Sequence, residues 1–146
     1  MSIVAVNAED RARQLIALTE RLTARLHEET LAFEARKPQL AAAGAAETLQ
    51  MANIYRHESQ RIRENPSLLE GLSPALRRQL IEATRHFQSV LARHGRAVEA
   101  AKTLTEGLVG AIASEVAARR SRGAGYGPTA RRAAGDASAI TLNRRA

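Results

Sequence analysis

The sequence has no cysteine and no tryptophan, and only two phenylalanines and two tyrosines. Without thiols there are no disulfides, no cysteine nucleophile and no thiolate metal site. With 3% aromatic residues, few rings exist to stack on bases or to fill a thick core. No uncharged run approaches the ~20 residues that span a bilayer; the longer ones, 38–46 and 107–114, fall far short. The opening MSIVAVNAED has neither the positive region nor the apolar stretch of a signal peptide. These absences lead to the expectation of a soluble, cytoplasmic protein.

What is present is helix-forming. The 146 residues suit one domain with a tail, and Ala supplies much of the 45% hydrophobic content. A chain rich in Ala, Glu, Leu and Arg belongs to long helices or coiled coils. The net charge of +7 is unevenly placed. Residues 1–118 carry 15 cationic and 14 acidic side chains, whereas residues 119–146 carry seven Arg against Asp136 alone. Such a tail attracts nucleic acid, anionic lipid or acidic protein through an unspecific, screened field, or is simply solvated.

The periodicity predicts three helices, at about 8–37, 39–64 and 74–122. Asn7 can cap the first, with Glu9 and Asp10 favouring its positive end. Leu15, Leu18, Leu22, Leu26 and Phe33 form its stripe. Pro38 ends or kinks it. Leu40, Ala43, Met51, Ile54 and Ile62 make a weaker second stripe, with Gly44 lowering local helicity, and Asn65-Pro66-Ser67 stops it. Ser73-Pro74 starts the third helix as cap and first-turn proline. There Leu76, Leu80, Ala83, Phe87, Leu91, His94, Val98, Ala101, Thr105, Leu108, Ile112 and Glu115 follow by threes and fours. The steps alternate except for two successive fours from Ala83 to Phe87 to Leu91. This is a coiled-coil seam, interrupted by His94, Thr105 and Glu115. Gly123, Gly125, Gly127 and Pro128 end it, and residues 129–146, with no apolar period, are expected to be a disordered Arg-rich tail.

The expected fold is therefore all-α: an antiparallel bundle of three long helices over 1–128, or a kinked two-helix coiled-coil hairpin if Pro38 only bends the chain. At 1.5 Å per residue the third helix spans roughly 70 Å and the others roughly 40 Å each. With a true turn at Pro38, the favoured alternative, the stretch from about 101 to 122 lacks cover. Leu104, Leu108, Ile112 and Val116 then form a stripe that needs a partner.

A search for chemistry finds little. His27-Glu28 and His57-Glu58 begin a zinc-protease pattern, but four residues past each His stand Leu31 and Arg61 rather than a ligand. No Glu-x-x-His occurs, so a carboxylate-bridged di-iron bundle has no support. Glu82 and His86 are four apart and read as a surface contact. GAGYG at 123–127 lacks both the GxGxxG spacing and a Walker lysine. The helical part offers no basic helix for a nucleic-acid groove. Neither catalytic residues, nor a metal, nor a cofactor is expected.

The opening helix LIALTERLTARLHEETLAFEAR, the break at KPQL, and a last helix ending AKTLTEGLVGAIASEVAARRSRGAGYGP together resemble FlgN-type flagellar export chaperones. The likeness is greatest to a shorter α-proteobacterial branch whose members are sometimes labelled flagellar basal-body proteins. It covers about residues 10–128, and its most specific part is 102–128, where a small-residue helix runs into Gly125-Tyr126-Gly127-Pro128. The resemblance implies a cytoplasmic, non-enzymatic helical bundle that binds hook–filament junction proteins and delivers them to the flagellar type III export apparatus. It further implies that the C-terminal region contacts the client, here Leu104, Leu108, Ile112, Val116 and Tyr126.

Three classes of function compete on this reading. The leading one is a secretion chaperone with a helix-in-groove contact. The second is a coiled-coil adaptor or basal-body assembly factor, homodimeric through the third helix. The third is nucleic-acid binding by the tail, without a specific nucleic-acid site in the helices.

Overall fold

A computed structural model of the chain describes residues 2–124. It is all-α: among the described residues there is no strand. The element order is α1 (Ala8–Glu34), α2 (Pro38–Ala42), α3 (Ala45–Glu64), a 3-10 turn (Pro66–Leu69) and α4 (Pro74–Ala124). The chain divides into two units, Met1–Lys102 and Thr103–Ala146. The expected tail, residues 129–146, lies outside the described residues, as does Tyr126.

The starts of α1 and α4 follow from their capping residues. The Asn7 side chain accepts the Asp10 backbone N–H at 2.8 Å, and the Asp10 carboxylate accepts the Val6 N–H at 3.1 Å. One orphan donor of the first turn is thereby satisfied, along with the N–H of the residue just before the cap. At α4 the Ser73 hydroxyl accepts the Leu76 N–H at 3.2 Å, and Pro74 occupies the first turn, where its missing donor costs nothing.

Pro38 marks a turn. Helix α1 closes at Glu34, four residues before it, with Arg36 in the left-handed region at φ 59°. Lys37 N–H reaches the Ala32 carbonyl at 2.9 Å and Arg36 N–H reaches Phe33 at 3.0 Å. This is a Schellman cap, built here without the glycine it favours. Proline then opens α2 at its first position. The second helix expected over 39–64 is divided between Ala42 and Ala45, with Gly44 at the head of α3.

Within Met1–Lys102, α1 and α4 run parallel, with Leu76 near Arg13 and Ile16 towards their starts and His94 on Glu29 further along, and α3 runs antiparallel to both. Arg11 meets Glu58, Glu29 meets both Thr48 and His94, and Glu34 meets Arg93. The core joins Leu22 and Leu26 of α1, Met51 of α3, and Phe87 and Val90 of α4. Tyr55 and Phe87 pack with ring centroids 4.7 Å apart. On α1 the seam holds Thr19, Thr23 and Thr30 among its leucines. Each hydroxyl donates to the carbonyl four residues earlier, at 2.6–2.7 Å, and so is buried without an unmade hydrogen bond.

The seam of α4 departs from the spacing read in the sequence. Leu91 is 45% exposed and Val98 is exposed, while Val90 and Ala97 are buried. The inward face of α4 within this unit is Leu76, Leu80, Ala83, Phe87, Val90, His94, Ala97 and Ala101. Its steps alternate four and three without interruption, the 3.5-residue period of a coiled-coil seam. Following the larger side chains at Leu91 and Val98 produced the two successive fours, one residue out of register.

Two polar groups of residues link the helices. Glu58 is fully buried on α3, bonded to Arg11 of α1, itself 8% exposed, with Arg61 at 3.3 Å from its second oxygen. Glu29 accepts the Thr48 hydroxyl at 2.6 Å and lies 3.2 Å from His94 Nε2, whose ring stands edge-on to Phe33. Among the described residues no three His, Asp or Glu side chains gather to hold an ion, and Glu82 and His86 are both exposed.

Candidate functional site

Residues 103–124 of α4 continue as helix, and side chains 103–123 are all exposed. The local sequence explains the helix and the face it presents. Alanines at 111, 113, 117 and 118 favour helix, and Leu104, Leu108, Ile112 and Val116 recur every fourth residue. Gly107 and Gly110 oppose helix by about 1 kcal/mol each relative to Ala. A Cβ placed on either glycine would meet nothing within 4 Å. The glycines therefore answer to no close approach among the described residues.

The four described residues of the expected binding set lie on this one face. Leu108 is 61% exposed, Ile112 56% and Val116 38%, with Leu104 likewise exposed. Val109, absent from the sequence-based set, joins them at the edge. Single exposed leucines are ordinary on a protein surface, but five apolar residues within four turns form a continuous strip. A shallow depression of about 370 Å³ lies at its end, lined by Ala111, Ile112, Glu115, Val116 and Arg119. Glu115 holds the Arg119 guanidinium at 3.0 Å with Arg122 3.9 Å away, so an ion pair closes the C-terminal end of the strip. The strip offers apolar area with charged groups at its end.

No model of a known protein family matches the chain, and no solved structure matches it. A curated relative does. The chain is 50% identical to the flagellar basal-body protein FlbY of Caulobacter vibrioides, over an alignment that covers all of both chains. This chain belongs to the FlbY family. The alignment spans the bundle and residues 103–124 alike, so both segments have counterparts in that relative. A flagellar role accompanies the family. No helix among the described residues is long and apolar enough to cross a membrane.

Sequence reasoning missed a second concavity, in the unit Met1–Lys102. Leu22, Leu26, Tyr55, Phe87 and Leu91 line an apolar groove of about 380 Å³ bordered by Arg56 and Arg63. Burial pushes the Tyr55 phenol above its ordinary 10.0, outweighing the lowering effect of its hydrogen bond to Ser59. The only trace of this groove in the sequence was the irregular step at Leu91.

Proposed function

We propose that this FlbY-family protein is a non-enzymatic, cytoplasmic secretion chaperone of the FlgN type. It holds hook–filament junction proteins for the flagellar type III export apparatus through the apolar face of residues 104–116. The observation that carries this reading is the strip of Leu104, Leu108, Val109, Ile112 and Val116, exposed on a helix that has a well-packed, buried seam elsewhere along its length. A client helix laying its apolar side on this strip would bury a face that is otherwise in water.

Paired stability and binding measurements test the reading. Leu108→Asp and Ile112→Asp should shift unfolding free energy by no more than about 0.5 kcal/mol, as exposed substitutions do. They should weaken capture of a junction protein by about 2 kcal/mol, roughly thirtyfold, as loss of one anchor does. Phe87→Ala, in the core, should cost roughly 3–5 kcal/mol of stability. A Leu108→Asp protein that still captures junction proteins at full affinity removes this face from the mechanism. The three-and-four spacing through Thr105, Leu108 and Ile112 also suits a homodimeric adaptor. Light scattering on the purified chain separates that reading from a monomeric chaperone.

A further inference from the structure

We propose that the groove between α1, α3 and α4 is a second docking surface, and that it takes an amphipathic helix of another protein bearing carboxylates seven residues apart beside its apolar stripe. The proposal is independent of the strip on residues 104–116, because the groove lies entirely within Met1–Lys102.

Three features of the groove specify its occupant. Its floor and walls are apolar side chains of all three helices, including Leu91, which is 45% exposed although it stands next to the buried Val90. On α3 the lining runs through Ala52, Tyr55, Ser59 and Arg63, spaced as one helical face. Eleven residues of rise give about 17 Å, three turns, the contact length of a short helix rather than a compact small molecule. The third feature is charge. Arg56 and Arg63 border the groove and no carboxylate lines it.

The two guanidiniums are available to a partner. Arg56 donates to the neutral Asn53 amide at 3.0 Å, and among the described residues neither arginine forms an ion pair. Some other arginines of these helices are already engaged within the chain, as Arg13 is with Glu9, Arg25 with Glu28 and Arg93 with Glu34. Arg56 and Arg63 are seven residues apart, about 10.5 Å along α3 and on one side of it. A helix lying alongside α3 presents its own side chains at that same interval, so two carboxylates at i and i+7 reach both arginines. Two arginines over an apolar floor suit this ligand better than a nucleic acid, which would need a broader basic surface and stacking rings.

The test uses the full chain and three labelled synthetic helical peptides of identical apolar face, carrying Glu, Gln or Lys at two positions seven apart. Fluorescence anisotropy at low ionic strength should show the Glu peptide binding about tenfold more tightly than the other two. The double variant Arg56→Glu, Arg63→Glu should invert this preference in favour of the Lys peptide at unchanged melting temperature. Leu91→Ser should weaken binding of the Glu peptide without altering the preference. Equal affinity for the three peptides, no binding, or a preference that survives the double variant would overturn the proposal. So would loss of binding on Leu108→Asp, which would place the peptide on the other surface. Self-association of the chain that the double variant abolishes would assign the groove to a second copy instead.

Discussion

Glu58 is the residue whose loss should harm the bundle most for its size. It is fully buried on α3, its first oxygen bonded to Arg11 of α1 and its second 3.3 Å from Arg61. Glu58→Ala removes the carboxylate and leaves the Arg11 guanidinium, 8% exposed, without its partner. Breaking a buried pair from one side costs about 3–5 kcal/mol, because a desolvated charge remains. Against a total stability of about 5–15 kcal/mol this is a large share. Arg11→Ala should cost less than Glu58→Ala, since Arg61 stays within reach of the carboxylate. Arg61→Ala should cost least, about 1 kcal/mol or below, as its side chain is 37% exposed and water replaces it. The double replacement Arg11→Met, Glu58→Met removes both charges and should recover most of the loss, because apolar residues of similar volume substitute well for a buried pair. Urea unfolding followed by far-UV circular dichroism measures each value. A loss below about 1 kcal/mol for Glu58→Ala, or a double variant as unstable as the single, would refute the reasoning.

The register of α4 makes a second expectation. Val90→Ala should cost roughly 2 kcal/mol and Leu91→Ala less than about 1 kcal/mol, the reverse of their side-chain sizes, read from the same urea transitions. At the end of α1, Arg36→Gly should stabilise by about 0.5–1 kcal/mol. Relief of a left-handed residue is worth roughly 1–2 kcal/mol, and part of it is offset by glycine's greater freedom in the unfolded chain. Acid should weaken the bundle through Asp10 and Glu34. The Val6 N–H and Gln14 hold the Asp10 carboxyl below its ordinary 3.8, and Arg93 holds Glu34 below 4.5. Carboxylates with lowered folded-state values stabilise above their unfolded values and lose that contribution as pH falls through the folded ones. Melting temperature should therefore fall as pH drops below the ordinary carboxylate range, and Glu34→Gln should make that fall shallower.

Local chemistry was legible in the sequence and long-range chemistry was not. Asn7 and Ser73 were readable as caps because a cap bonds within three residues of itself. Pro38 was readable as a break because its ring acts on its immediate neighbours. The buried threonines were not readable, since a hydroxyl marks a residue as polar until its carbonyl partner is seen. Glu58 was passed over because its partner is 47 positions away, and the adjacent His57 drew the reading towards a metal motif. The Schellman cap at Arg36 carried no glycine to announce it. For the candidate site, helix lengths alone placed Leu104, Leu108, Ile112 and Val116 in the open. Helix α4 has 51 residues and α1 has 27, so α1 can match only about half of the periodic face.

The misplaced step at Leu91 shows why a hydrophobic pattern can be read two ways at once. A helix buried along one seam and free to bind along a neighbouring one carries two apolar stripes, displaced by a single residue. Summed into one series they give a spacing that breaks step where it crosses from one to the other. In the unit Met1–Lys102 the first stripe is Val90 and Ala97, closed against the bundle, and the second is Leu91 and Val98, left in water. Small residues suffice for the closed stripe because seam packing is set by shape, while the larger leucine and valine on the open one add apolar area that only a partner can cover. On this argument an irregular step in an otherwise regular seam points to where packing ends and recognition begins, and Leu91 at the groove's wall is such a place.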